Sequence, residues 1–244
     1  MNSALDVVIL AAGIGSRLRP LTDKTPKCMI EVGGVTIIER ILNQLDPLSE
    51  VDSISILTGH EHKKIAYYIA ESYPKVDCIY NKDYLNTNNM YSLYLFLKQR
   101  KNDKDLVILN ADCIYDTRVV EKCIQYSESC IMTDSSIFLK ESMKVKVDGE
   151  QAKGISKEFN QGKDVYTSID LYKFKKETAS LLTEIVYNYI NNDDYNQWTE
   201  VAINDLLIRA DQKIYTNDID GHKWFEIDTV EDLKKARKLF SEDD

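Results

Sequence analysis

The chain has 244 residues, 43% apolar and 29% charged, proportions of a folded globular protein of one large domain or two small ones. Its 31 Lys and Arg against 40 Asp and Glu leave a formal charge of −9, which repels phosphate backbones and argues against broad nucleic-acid binding. No apolar run approaches the ~20 residues of a membrane span, Met1-Asn2-Ser3-Ala4-Leu5-Asp6 lacks a signal-peptide layout, and the five cysteines are odd in number with no C-x-x-C pair, so the expectation is a cytoplasmic protein with buried free thiols.

The first element in chain order is the β-branched run over 6–12, which reads as a buried parallel strand entering the Gly13-Ile-Gly15 loop. Similar runs recur over 53–57, 76–80, 106–110 and 130–133, and helical spacing covers 36–45, 61–73, 89–99 and 118–125. This alternation predicts an α/β fold with a mostly parallel central sheet and helices on both faces. After residue 134 the stretches 135–139, 144–147, 152–159 and 165–171 are strand-like, with a turn signal at Asp148-Gly149, and predict a small antiparallel insertion. Helical stretches follow over 173–190 and 199–210, then a short strand near 213–215 and a helix over 229–240. With 4 Pro, 9 Gly and no internal repeat there is no linker, so a single domain is expected over 1–244, its insertion spanning about 135–200.

The loop Gly13-Ile-Gly15-Ser-Arg17-Leu-Arg19-Pro20-Leu-Thr22-Asp-Lys24-Thr-Pro26-Lys27 holds four basic residues and one acid, a local charge of +3 inside a chain of −9. The glycines let successive N–H groups approach phosphate oxygens while the cations neutralise charge, so the loop reads as an anion site. G-x-G alone is not distinctive: Leu18 stands where a dinucleotide fingerprint has its third glycine, and the P-loop pattern is missing. The composite G-x-G-x-R-x-x-P-x-T-x-x-x-P-K is far more specific.

With Asn86-Thr-Asn88-Asn89-Met-Tyr91-Ser92-Leu93 and Trp224-Phe-Glu226-Ile-Asp228-Thr229, that string resembles the nucleotidyltransferases that join NTPs to phosphorylated sugars or alcohols. Within them it is most similar to bacterial cytidylyltransferases acting on phosphocholine, phosphoglutamine and small phosphonates. The resemblance spans nearly the whole chain and is strongest over 6–30, 86–93 and 224–233. It implies a Rossmann-like nucleotidyltransferase fold, CTP and a small phosphorylated acceptor as substrates, Mg²⁺ as cofactor, and no nucleic-acid or membrane partner. Monomer and homodimer stay open. Arg17 is assigned to the triphosphate and Lys27 to the α-phosphate and the incoming phosphate. The nucleotide falls to Leu10, Ala11, Ala12, Gly13, Gly15 and Gly59, with Asn88, Asn89 and Ser92 offering side chains to base or ribose. Arg19 and Lys24 read equally as phosphate ligands or solvated cations.

Asp112 follows the run over 106–110 and so stands at the carboxyl end of a parallel strand, where open α/β sheets bind ligands and a hard carboxylate suits Mg²⁺. Asp228 joins it by resemblance, although Asp228-Thr229 also reads as a helix cap. Asp116 and Glu226 are further carboxylates nearby. His60, His62 and His222 form no catalytic set, and a phosphomonoester with its second pKa near ~6 needs no general base.

A quaternary ammonium needs aromatic faces. Trp198 is the one tryptophan of the acceptor half, and Lys140, Lys144 and Lys146 stand where a ring is expected. Glu200 then serves an acceptor ammonium, Lys140 and Lys144 its carboxylate, and Tyr172 part of an incomplete cage. An amine acceptor is expected over a trimethylammonium one. A sugar-1-phosphate nucleotidylyltransferase and a catalytically silent nucleotide-binding regulator stay open, the second disfavoured by the intact set Arg17, Lys27, Asp112 and Asp228.

Overall fold

Alternation along strand β1 (Leu5–Ala11) divides the molecule: Leu5, Val7 and Ile9 enter one hydrophobic core and Val8 and Leu10 another, on the opposite face of the sheet. With both faces covered the strand must be apolar nearly throughout. Asp6 is the exception, buried and paired with Arg100 Nε at 2.9 Å. The computed structural model describes residues 4–101, 103–209 and 213–240; residues 1–3 of the N-terminal stretch and residue 210 of the helix expected over 199–210 lie outside them.

Beyond the loop, β2 (Glu31–Val32) and β3 (Val35–Thr36) form a short hairpin leading into α1 (Ile37–Leu45), whose cap Thr36 accepts from Glu39 N. Then come β4 (Val51–Thr58), α2 (His62–Ser72), β5 (Val76–Tyr80), α3 (Asn89–Leu97), β6 (Asp105–Asn110), β7 (Cys113–Tyr115), α4 (Thr117–Gln125) and β8 (Cys130–Asp134). β1 pairs in parallel with both β4 and β6, and β4 with β5, so strand order reverses between β1 and β6. Such a reversal opens a crevice beyond the carboxyl ends of the strands.

In the second half, β9 (Lys144–Asp148) and β10 (Gln151–Ser156) form a hairpin turning at Gly149, whose φ of 60° suits a residue without Cβ. They are followed by β11 (Val165–Phe174), α5 (Lys176–Asn191), α6 (Thr199–Arg209), β12 (Tyr215–Asp218), β13 (Trp224–Glu226) and α7 (Val230–Leu239). The main sheet runs β5-β4-β1-β6-β11-β8-β12-β10-β9. Only β10 and β11 run against the other strands, so the sheet is mostly parallel, as expected, with the antiparallel hairpin stitched into it. β9 also pairs with β11 over Val165–Thr167, tying the hairpin back to the middle of the sheet.

Two expected elements are corrected. Residues 135–139 are not a strand: Asp134 Oδ1 accepts from Ser136 N, turning the chain at the end of β8, and Thr167 Oγ1 then bonds Ile137 O. The helix expected over 173–190 begins at Lys176, because Lys173 and Phe174 extend β11, with Lys173 Nζ donating to Ile124 O and Tyr126 O. Strands of two or three residues, β2, β3, β7 and β13, are too short to show a period. The strand expected over 213–215 is β12, shifted toward the C-terminus. No helix among the described residues is long and apolar enough to cross a membrane. All five cysteines are free thiols, four buried and Cys78 half-buried.

Candidate active site

Gly15, at φ 66°, opens a short 3-10 turn over Ser16–Leu18. A Cβ there would lie 3.0 Å from Thr22 Cγ2 and 3.2 Å from Lys27 Cβ, so the glycine permits the loop to fold back on itself. Thr22 Oγ1 donates to Gly15 O at 2.7 Å, His60 Nε2 lies 2.8 Å from Thr22 O, and Leu18 and Cys28 are buried beneath. Arg17 and Lys27 are thereby turned to one side. Arg19 instead pairs with Asp23 at 3.3 Å, and Lys24 is exposed.

Lys27 Nζ lies 2.9 Å from Asp112 Oδ2 and 2.8 Å from Asp228 Oδ1, and Arg17 Nη2 lies 2.7 Å from Asp228 Oδ2. Burial alone would lower the Lys27 pKa; Asp112 and Asp228 outweigh it and hold the ammonium well above its ordinary value. Burial likewise works to raise Asp228, but Lys27 and Arg17 keep it below the usual carboxylate range. Glu226 is pushed up to about 7 by burial and by facing Asp112 and Asp228, while Ser142 Oγ donates to its Oε2 at 3.1 Å.

The two C-terminal carboxylates arrive through a ribbon. β13 pairs antiparallel with β7, setting Glu226 opposite Cys113, and Ile227 N donates to Asp112 O at 2.9 Å. The cap of α7 is Thr229, not Asp228: Thr229 Oγ1 accepts from Asp232 N while Asp232 Oδ2 accepts from Thr229 N, a capping box that leaves Asp228 to face Lys27. Asp116 caps α4 and pairs with Arg118 at 2.6 Å, outside the cluster. Asp112, Glu226 and Asp228 each bring one oxygen within 4.8 Å of the others. Three hard oxygen donors with two cations as their present counter-charge fit a divalent ion such as Mg²⁺.

A cavity of about 160 Å³ lies at the switch point, lined by Leu10, Ala12 and Gly13 from the end of β1, Asn88, Asn89 and Ser92 around the start of α3, and Asn110 and Asp112. Buried Ser92 accepts from Asn81 Nδ2 at 3.1 Å, Asn88 Oδ1 from Asn89 N at 2.9 Å, and Asn89 Oδ1 from Thr199 N at 2.8 Å. Ala11 stands within β1 behind this lining. Gly59 does not line it; a Cβ there would meet Ala12 O at 2.4 Å, so its role is close packing against the end of β1. Asn81, Tyr84, Thr87 and Asn110 also line the cavity and escaped the sequence reading. Asn81 and Asn110 carried a signal, a polar residue closing an apolar run; Tyr84 and Thr87 carried none.

A second cavity, about 140 Å³, meets the first at Asn89, Asn110 and Asp112, and is lined further by Arg17, Lys157, Asp170, Trp198, Glu200, Glu226 and Asp228. The buried Tyr172 hydroxyl lies 3.0 Å from Asp170 Oδ1 and 3.2 Å from Glu200 Oε1. Burial, then the charges of Glu200 and Glu226, pushes Asp170 well above the carboxylate range, and burial raises Glu200 as well. Asp170 stands at φ 58° where β11 loses register between Ser168 and Tyr172, and this irregularity brings it to the cavity. An acid inside an apolar strand was its one sequence signal. Lys157 Nζ lies 4.7 Å over the Trp198 ring.

Lys144 is not brought to this cavity. It is buried beneath the segment that replaced the expected strand, its Nζ donating to Lys140 O at 2.8 Å and lying 5.3 Å over Phe138. Lys140 lines a neighbouring cavity beside Arg17 and Asp228, and Lys146 lies 4.0 Å from Asp164 at the surface.

Residues 7–135 match the MobA-like NTP transferase domain. The chain is 29% identical over 237 residues to the 2-aminoethylphosphonate cytidylyltransferase of Lancefieldella rimae, covering 93% of this chain and 90% of that one. It is 27% identical over 254 residues to the CTP:phosphoglutamine cytidylyltransferase of Campylobacter jejuni, covering 94% and 98%. It spans about half the length of the bifunctional relatives that it also matches. The solved structure of the CTP:phosphocholine cytidylyltransferase from Streptococcus pneumoniae shares the fold, with a TM-score of 0.79 at 22% identity over 97% of this chain and 99% of that one.

Proposed function

This chain belongs to the family of MobA-like NTP transferase domains and is a nucleotidyltransferase, and on that footing we propose that it is a Mg²⁺-dependent cytidylyltransferase. It joins CMP from CTP to a small phosphorylated or phosphonate amine or amino-acid derivative and releases pyrophosphate. The observation that carries this reading is the Lys27 ammonium held between Asp112, which lines both cavities, and Asp228, which lines the second. The chain acts as one domain over residues 1–244, with about 135–200 forming the acceptor side.

The nucleotide occupies the cavity at the end of β1. Backbone groups of Leu10, Ala12 and Gly13 and the side chains of Asn88, Asn89 and Ser92 meet base and ribose, and the relatives named above support cytosine. Arg17 and Lys27 leave their carboxylates for the triphosphate, and Lys27 neutralises the charge that develops on the α-phosphate as the acceptor oxygen attacks. Asp112 and Asp228, with Glu226, would hold Mg²⁺, which supplies Lewis-acid polarisation of the phosphate oxygens. The acceptor phosphate is ionised at neutral pH, so positioning rather than proton removal is the task of the protein.

The acceptor occupies the second cavity with its ammonium toward Asp170 and Glu200, where a cation supplies the charge that neutral Tyr172 does not. Trp198 is a single ring already faced by Lys157, which supports a primary amine over a trimethylammonium group. Lys157, in place of Lys144, is the cation available to an acceptor carboxylate. Pyrophosphate release measured over four NTPs crossed with phosphocholine, phosphoethanolamine, aminoethylphosphonate and phosphoglutamine tests the reading. Activity should be confined to CTP and strongest with a primary-amine acceptor; a preference for UTP, dTTP or GTP with a hexose 1-phosphate refutes it.

A further inference from the structure

A third cavity, about 410 Å³, opens beside the nucleotide cavity and takes no part in the reaction proposed above. Its lining includes Tyr91 and Tyr94 from α3, Tyr195 from the segment between α5 and α6, Ile190, and the carboxylate Asp83. The Tyr91 and Tyr195 rings stand at 85° with centroids 5.6 Å apart, two perpendicular walls, and Tyr94 extends the first at 5.8 Å and 38°. Tyr187 packs edge-on behind Tyr94 at 5.1 Å. These rings are not core residues: Tyr91 and Tyr94 are half-buried and Tyr195 is 37% exposed.

Among the described residues that line this cavity the charge is negative. Asp83 is the only charged residue among the described residues of the lining, and Tyr195 OH donates to Asp193 Oδ1 at 2.5 Å just outside it. The rings themselves carry negative faces. One ring of the cluster already holds a cation, since Lys98 Nζ lies 5.7 Å from the Tyr94 centroid. An anion finds no lysine or arginine among the described residues of the lining, and a neutral apolar guest leaves Asp83 unused.

We propose that this cavity binds an alkylammonium cation, its substituted nitrogen against the Tyr91 and Tyr195 faces and its charge balanced by Asp83. The site is separate from the acceptor cavity and next to the nucleotide. Thr87 lines both it and the nucleotide cavity, and Asn88 N donates to Tyr195 O at 3.0 Å, so a cation that steadies Tyr195 also steadies the start of α3.

The test is a titration of the full chain, its tyrosine rings carbon-13 labelled, with tetramethylammonium chloride against sodium chloride at equal ionic strength. The Tyr91 resonance shifts saturably with tetramethylammonium alone. Asp83→Asn and the exposed-site variant Tyr195→Leu each weaken the apparent affinity about tenfold, whereas Glu200→Gln, in the acceptor cavity, leaves it unchanged. Choline binds as tetramethylammonium does, and its neutral isostere 3,3-dimethylbutan-1-ol does not. Binding of that isostere equal to that of choline, unchanged affinity in both Asp83→Asn and Tyr195→Leu, loss of the shift in Glu200→Gln, or no saturation at all overturns the proposal.

Discussion

Lys27 Nζ reaches Asp228 Oδ1 at 2.8 Å across 201 residues of chain. Because the same ammonium also holds Asp112, it is the counter-charge of the carboxylate cluster as well as the group proposed to act on the α-phosphate. Lys27→Ala should lower turnover by about 10³-fold or more. The folded variant should also melt lower than the parent in EDTA and recover more of the difference when Mg²⁺ is added. Near-normal turnover in that variant would show that the loop does not handle the transferred phosphate.

Asp228 and Thr229 are neighbours with separable duties. Thr229→Ala breaks the capping box of α7 and should cost about 1 kcal/mol of stability with little change in metal dependence. Asp228→Asn removes the charge that faces Lys27 and Arg17, so it too should lower the melt, but it alone should shift activity to much higher Mg²⁺ concentration. A metal titration beside a thermal melt distinguishes them, and the reverse pattern would return the cap to Asp228.

Glu226 makes stability depend on pH. Its folded pKa of about 7 lies above the ordinary 4.5, so between these values the folded protein holds a proton that the unfolded chain has released. Stability contributed by the neutral carboxyl is therefore complete below the unfolded value and is lost as pH rises through the folded one. In EDTA, Glu226→Gln should melt higher than the parent at about pH 8 and the gap should close toward about pH 5. Parallel melting curves across that range would mean that the carboxyl ionises without cost.

Asp170 and Glu200 flank the Tyr172 hydroxyl in the second cavity, proposed to take the acceptor. Asp170→Asn and Glu200→Gln should each raise KM for a primary-amine acceptor by about 10- to 100-fold while leaving KM for CTP near the parent value. Steady-state kinetics with each substrate varied in turn checks this. An equal rise in both constants would point to a collapsed site, and no rise in either would remove the ammonium assignment.

Much of the nucleotide half was legible because its information is local. The apolar run that becomes β1 has to be a strand buried on both faces, the glycines and cations of the following loop are contiguous, and Asp112 follows a second such run. The acceptor half was less legible. Lys144 looked available because alternation in a strand tells which residues share a face, not what later covers that face; here the segment over 137–140 does. Asp170 was missed because a change of strand register has no signature in hydrophobic period.

The amino-acid sequence by itself determined the α/β alternation, the basic glycine-containing loop with Arg17 and Lys27, and the inventory of carboxylates from which a metal site could be drawn. Which of those carboxylates meet was decided only by the tertiary structure. The β7–β13 ribbon and the bond from Ile227 N to Asp112 O bring Glu226 and Asp228 to Asp112, while Asp116, closer in sequence, is spent capping α4. The reason is physical: helix caps and strand periods are set by neighbours within a few residues, whereas a charge cluster depends on distances through space that only chain reversal and packing create.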